Sequence, residues 1–357
     1  MPGSMSSAVE ERGEQVALVV TSIAAPNRVL RELARGCASR RHQFIVIGDE
    51  ASPPDFRLDG CQFYGLEAQG ETGFAFARLC PTRHYARKNL GYLLAIRSGA
   101  EVIVETDDDN VPREEFWRQR QRHHRVSRVS EAGWINAYRY FSDALIWPRG
   151  LPLDVAAAEI PDFDTLPVDD VDCPIQQGLV DDNPDVDAIY RLILPLPQRF
   201  RRDRRLALAS GSWCPFNSQN TSWWPDAYPL LYLPAYCSFR MTDIWRSFVA
   251  QRIAWTNGWS VLFHEPTMEQ DRNEHDLLRD FADELPGYLH NRRIGQALEG
   301  LSLRPGVDNI GENMRVCYGS LVAMSIVDKR ELDVLGAWLN DFKRAHPFPK
   351  TAPSQMQ

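Results

Sequence analysis

The chain has 357 residues, 44% of them hydrophobic and 25% charged, with a formal net charge of -8. That length can bury a large core, as one big α/β domain or two smaller ones. The acidic balance argues against a nucleic-acid partner, which needs a broad basic face, and no stretch approaches the roughly 18 uncharged apolar residues of a membrane span.

The start, MPGSMSSAVEERGEQ, is polar and acidic, so no signal peptide is expected. MPGS before Met5 reads as a tag remnant, and residues 1–15 as a disordered N-terminus. The cysteines, Cys37, Cys61, Cys80, Cys173, Cys214, Cys237 and Cys317, are odd in number, widely spaced and without a CxxC pair. Neither a disulfide framework nor a structural zinc site is suggested, and the expectation is a reduced, cytoplasmic protein.

Val16 to Ile23 is a β-branched run that predicts a buried strand, after which Pro26 and Asn27 open a helix to about Ala38. Phe44 to Ile47 predicts a second strand ending at Gly48 and Asp49, and residues 51–80 are loop-rich with a short strand around Gln62 to Gly65. Thr82 to Ser98 predicts a helix with Leu90, Leu93, Leu94 and Ile96 at apolar positions and Gly99 as its C-cap. The strand EVIVET follows at once. This alternation predicts an α/β fold, a mostly parallel sheet flanked by helices.

Residues 151–187 carry acids and no Lys or Arg, and the basic tract QRFRRDRR (198–205) follows. The pair reads either as a solvated loop facing a neutralising patch or as a wall over a binding site. Ser210 to Trp224 is dense in amides and aromatics, which suits a sugar- or nucleotide-contacting loop or a packed irregular one. Met241 to Thr256 predicts an amphipathic helix with Thr242 or Asp243 near its start, where an N-cap is the plain reading. Trp259 to Phe263 predicts a last strand, ended by Phe263-His264-Glu265-Pro266, and residues 275–342 read as helices with loops.

The acids Asp107, Asp108 and Asp109 directly after an apolar strand carry the most information. Adjacent carboxylates repel one another unless a cation binds. Hard divalent ions take oxygen ligands, and Mg²⁺ or Mn²⁺ arrives with phosphates and water. A metal–diphosphate site at the crevice beyond the strand ends is the expectation, against the plain alternative of a solvated turn. Thr21 and Ser22 end the first strand and Asp49 the second, where short polar side chains can meet a base or ribose. Arg87, Lys88 and Asn89, early in the next helix, suit a diphosphate. His264 is a candidate further metal ligand beside its plain structural reading. The absence of GxxxxGK[ST], GxGxxG, GxSxG and HExxH removes the competing chemistries those motifs announce.

The strings RKNLGYLLAIRSGAEVIVETDDDN, WPRGLPLD, PIQQGLVDDNPDVDAIYRL, PFNSQNT, FRMTDIWRSFVAQRIAW and DRNEHDLLRDFADE resemble the STELLO proteins over about residues 16–290. More remotely they resemble the reversibly glycosylated polypeptides, which include UDP-arabinopyranose mutases. The resemblance implies a GT-A glycosyltransferase fold over 16–290, with a helical C-terminal extension over 291–357, using a nucleotide sugar and a divalent cation. It places a DxD-type motif at Asp107, Asp108 and Asp109, and matches TDIW around Asp243 to a similar Asp-Ile-Trp segment. The expected activity is metal-dependent transfer of a sugar from a nucleoside-diphosphate sugar, UDP by default, to a small-molecule or glycan acceptor. Asp243 is the candidate general base. A nucleotide-sugar pyranose/furanose mutase and a non-catalytic nucleotide-sugar-binding scaffold stay open beside it, and the composition is compatible with a homo-oligomer.

Overall fold

Strand β1 (Val16–Thr21) leads through helix α1 (Arg28–Arg40) to β2 (Gln43–Ile47) and β3 (Gln62–Tyr64). Two short helices, α2 (Leu66–Glu71) and α3 (Phe76–Leu79), precede α4 (Lys88–Arg97), which delivers β4 (Val102–Thr106). The computed structural model describes residues 15–272 and 276–346; the expected tag remnant, Asn273 to His275 of the DRNEHD string and the end of the C-terminal extension lie outside them.

β1 is an inner strand covered on both faces, which is why it reads as a continuous apolar run. Val16, Leu18 and Val20 pack against Val29, Leu30 and Leu33 of α1. Ala17 and Val19 face the other way, towards Leu90 and Leu93 of α4. Asn27 caps α1, its Oδ1 accepting from Leu30 N at 2.8 Å. α4 is buried on nearly every side because it lies between the sheet and a C-terminal helix. It approaches so closely that a Cβ at Gly91 would stand 2.4 Å from Val19 Cγ1. The expected single helix from Thr82 begins instead as a 3-10 turn at Tyr85–Arg87.

Beyond β4 come β5 (Asn110–Pro112), β6 (His123–Val129), β7 (Gly133–Trp134), β8 (Val168–Asp172) and β9 (Ile175–Asp181), followed by α5 (Ala188–Ile193). Then follow β10 (Arg205–Leu208), β11 (Ser212–Trp213), β12 (Asn220–Trp223), α6 (Thr242–Thr256) and β13 (Val261–Gln270). The helices α7 (Leu277–Glu299), α8 (Ile310–Ala323) and α9 (Glu331–Ala345) complete the described residues. The main sheet runs β3-β2-β1-β4-β12-β9-β13-β10-β6-β8, with β5 against β13. Its first four strands are parallel, β12 enters antiparallel to β4, and the sheet is mixed from there on. This is the α/β fold expected from the sequence, a sheet flanked by helices, with helices α7 to α9 behind it. Among the described residues no helix is long and apolar enough to cross a membrane.

Three expectations change. The last strand does not stop at Phe263 but bends between His264 and Met268 and runs on to Gln270. The acidic segment is no simple loop, since its β9 is buried at the centre of the sheet. The boundary expected at 290/291 falls inside the unbroken helix α7.

Candidate functional site

Because β1, β2 and β4 are parallel, their carboxyl ends meet at one edge of the sheet, where chain order reverses about β1. A cleft of about 730 Å³ opens there. It is lined by Thr21 and Ser22 after β1, Asp49 after β2 and Asp107, Asp108 and Asp109 after β4. From the other side come Arg149, Asp185, Phe239, Arg240, Asp243, Gln270 and Arg272. Asp49 holds its own turn, accepting from Glu50 N at 2.8 Å and His84 N at 3.0 Å.

The acids along ETDDD are sorted by their partners. Glu105, wholly buried, pairs with Arg246 of α6 at 2.8 Å and accepts from Trp223 Nε1 at 2.9 Å. Asp107 pairs with Lys88 Nζ at 3.1 Å and accepts from Tyr85 Oη at 3.0 Å. Asp108 Oδ2 accepts from Ser22 Oγ at 2.5 Å, and its backbone carbonyl accepts from the Asn27 side chain. Asp109 Oδ2 accepts from Gln270 Nε2 at 3.0 Å. Among the described residues neither Asp108 nor Asp109 has a cationic partner in an ion pair. Burial raises the Asp108 carboxyl, and burial with the neighbouring Asp107 pushes Asp109 up to about 6.

Two oxygens in this corner are buried without a partner among the described residues, Asp109 Oδ1 and Gln270 Oε1. Unpartnered buried oxygens are costly, and oxygen donors are what a hard divalent ion takes. The donor set of Asp108, Asp109 and Gln270 therefore fits Mg²⁺ or Mn²⁺. Among the described residues no group of three His, Cys, Asp or Glu could hold a metal alone.

On the opposite wall Arg149 is buried between two carboxylates. Its Nε and one terminal nitrogen meet both oxygens of Asp185 at 2.8 Å, and its terminal nitrogens meet those of Asp243 at 3.0 and 2.9 Å. Burial alone would raise Asp243, but the Arg149 guanidinium, with Arg246 and Arg240 behind it, holds the carboxyl below the usual range. Arg149, Ile244 N and the N–H and hydroxyl of Ser218 take up the acceptor sites of both Asp243 oxygens, leaving none for an incoming hydroxyl, which argues against the expected general-base role for Asp243. The helix-cap reading also fails, because the side chain caps nothing beyond its own neighbour Ile244.

The helix residues expected to meet a diphosphate lie deeper. Arg87 lines the cleft but is 3% exposed, and donates to Gln69 Oε1 at 2.7 Å and to the Cys80 carbonyl at 2.9 Å. Lys88 is fully buried, donating to the Thr106 carbonyl, Tyr85 and Asp107. Asn89 is tied to both backbone groups of Leu233. Lys88 and Asn89 do not line the cleft. His264 is likewise separated from the acids, in a smaller polar cavity with His124, Gln176 and Arg205. Burial drives its imidazole down to about 4. The bend in β13 explains the displacement, for it is Gln270, further along that strand, that reaches Asp109.

Arg149, Asp185, Arg240 and Arg272 were not singled out by residue type, because Arg–Asp pairs read as solvated charge. Their only signal is membership of WPRGLPLD, DNPD, FRMTDIW and DRNEHD, four of the segments that carry the resemblance. The glutamines Gln176 and Gln177 and most of Asn217 to Thr221 are buried braces; Gln177 Oε1, for instance, accepts from Asn217 N at 2.8 Å. Of that group Gln219 lines the cleft.

Residues 240–355 match the family model described as STELLO glycosyltransferases. "Probable glycosyltransferase STELLO2" of Arabidopsis thaliana is 28% identical over 348 residues, a match covering 91% of this chain and 44% of that protein. "Probable glycosyltransferase STELLO1" of the same plant matches at the same identity and coverage, so the chain spans less than half the length of these relatives. The crystal structure of M. tuberculosis glucosyl-3-phosphoglycerate synthase has 10% identity and a TM-score of 0.34, covering 89% of this chain and 83% of its own. Likeness at that level is distant, and no residue correspondence rests on it.

Proposed function

We propose that this chain is a glycosyltransferase that binds a nucleoside-diphosphate sugar, UDP being the default, together with Mn²⁺ or Mg²⁺. The observation that carries this is the pair of unpartnered buried oxygens, Asp109 Oδ1 and Gln270 Oε1, at the end of β4 in a cleft lined by the parallel strand ends. The names of the STELLO relatives support the reaction class.

Asp108, Asp109 and Gln270 would hold the metal, which when bound supplies Lewis-acid stabilisation of the leaving diphosphate. Ser22 fixes the Asp108 carboxylate, and Lys88 with Tyr85 fixes Asp107 beside it. Thr21 and Asp49 lie where the nucleoside of such a donor would sit. Arg149 braces the acids of the opposite wall, where the acceptor, a small molecule or glycan, would approach.

Calorimetry with UDP and GDP tests this. Nucleoside diphosphate should bind at least ten times more tightly with Mn²⁺ than with EDTA, since metal relieves the carboxylate crowding. Equal affinity in EDTA would remove the metal from the site, and no binding of either nucleotide would remove the transferase assignment.

A further inference from the structure

Asp185 and Asp243 face one cleft from two sides of the same guanidinium, yet they differ in what they have left to offer. Asp243 Oδ1 accepts from Arg149 and from Ile244 N, and its Oδ2 from Arg149 and from both the backbone N–H and the hydroxyl of Ser218 at 3.3 Å. Each oxygen of a carboxylate offers about two acceptor sites. Asp243 is therefore filled. Among the described residues Asp185 Oδ1 accepts from Arg149 Nε alone, and Oδ2 from one terminal nitrogen of Arg149 alone, each at 2.8 Å. A lone pair is left on each oxygen, and the residue lines the cleft.

Asp185 is also held still, because Arg149 N–H donates to its backbone carbonyl at 3.0 Å. A fork-to-fork ion pair together with this backbone bond fixes the side chain before any substrate arrives. Arg272 stands within the field of both Asp185 and Asp109, so the two carboxylates belong to one working space.

Building on the transferase assignment above, we propose that Asp185 is the catalytic base, taking the proton of the acceptor hydroxyl, and that Arg149 is its positioning residue. As the hydroxyl oxygen bonds to the anomeric carbon, the bond from that carbon to the diphosphate oxygen breaks. The electron pair leaves with the diphosphate, and the hydroxyl proton passes to an Asp185 oxygen. Attack from the face opposite the leaving group inverts the anomeric centre. Water in place of the acceptor gives hydrolysis of the donor by the same route.

Hydrolysis supplies the test without knowledge of the acceptor. Release of nucleoside diphosphate from a panel of UDP- and GDP-sugars with Mn²⁺ is measured for the wild type, Asp185→Asn and Asp185→Ala. Asp185→Asn should lose about 10²-fold or more in rate, the scale of a lost base, while binding Mn²⁺ and UDP within about threefold of wild type. Sodium formate should speed Asp185→Ala at least tenfold, since a diffusing carboxylate can take the hydroxyl proton in place of the missing side chain. A rate for Asp185→Asn above roughly a tenth of wild type overturns the proposal, as does an Asp185→Ala variant that formate leaves unchanged. Loss of Mn²⁺–UDP binding in both variants assigns the carboxylate to structure and overturns it too. A wild type that hydrolyses nothing in the panel overturns the transferase assignment itself, and the role of Asp185 with it.

Discussion

Arg149 governs the acidic wall of the cleft, since both Asp185 and Asp243 depend on it for their charge balance. Removing one partner of a buried pair leaves an uncompensated charge and typically costs about 3–5 kcal/mol. Asp243→Ala is therefore expected to lower stability by roughly 3 kcal/mol, in contrast to the few tenths typical of an exposed substitution. Guanidinium chloride titration followed by fluorescence measures it; a change under about 0.5 kcal/mol would show that Arg149 is satisfied without Asp243. The same logic explains why the acid row was legible as a row and not in its parts. Three adjacent aspartates at the end of an apolar strand stand out in a sequence because like charges repel. Which of them keeps free oxygens depends on Lys88, Ser22 and Gln270, and the last comes from the far end of β13.

Elements that keep an apolar pattern, continuous or periodic, were readable: β1, α1, β2, β4 and α6 lie close to where their residues put them, although α4 starts at Lys88 and not at Thr82, and α6, expected to be amphipathic, is buried on nearly every side. Those that break the pattern were not. β9 carries Gln176 and Gln177 in the middle of the sheet, tolerable only because distant backbone groups and side chains satisfy both amides. Pro266 should end β13, yet it sits in the irregular stretch between His264 and Met268, where the ladder with β9 shifts register. At the start of α9, Glu331 accepts from the backbone N–H groups of Ala235 and Tyr236, and from the hydroxyl of Tyr232. Burial pushes its carboxyl up to about 7, from 4.5 in an exposed chain. Between those values the folded protein holds a proton that the unfolded chain has released, so this group's contribution is full below about 4.5 and is lost as pH rises through 7. The slope integrates to roughly 3 kcal/mol at 1.36 kcal/mol per pH unit. Glu331→Gln, which keeps the proton-bearing shape, should flatten wild-type stability against pH in that window. Parallel curves for the two proteins would show that the carboxyl titrates alike folded and unfolded.

At the scale of the whole molecule, the helices after β13 are not an appendage. One continuous core joins Leu90 and Leu94 of α4, Ile244 and Phe248 of α6, Met314 and Tyr318 of α8, and Trp338 and Phe342 of α9. Trp338 is wholly buried, stands edge-on to Phe76 at 6.2 Å, and donates from Nε1 to the Pro229 carbonyl at 3.0 Å. Asp341, one turn further on, accepts from Phe76 N at 2.8 Å, so α9 also orders the loop region between β3 and α4. A unit that shares its core should unfold with it. Trp338→Ala is accordingly expected to cost about 3–5 kcal/mol, the range for emptying a large aromatic site, and to lower a single thermal transition. Mn²⁺ with UDP, if bound in the cleft as proposed, should raise that same transition and slow hydrogen exchange at the amides of α9, because those amides open only with the whole. Scanning calorimetry and exchange mass spectrometry read both effects. If the scan resolves two transitions, and Trp338→Ala moves only the one to which nucleotide is indifferent, then α7 to α9 fold as a separate unit and the shared core does not couple them to the site.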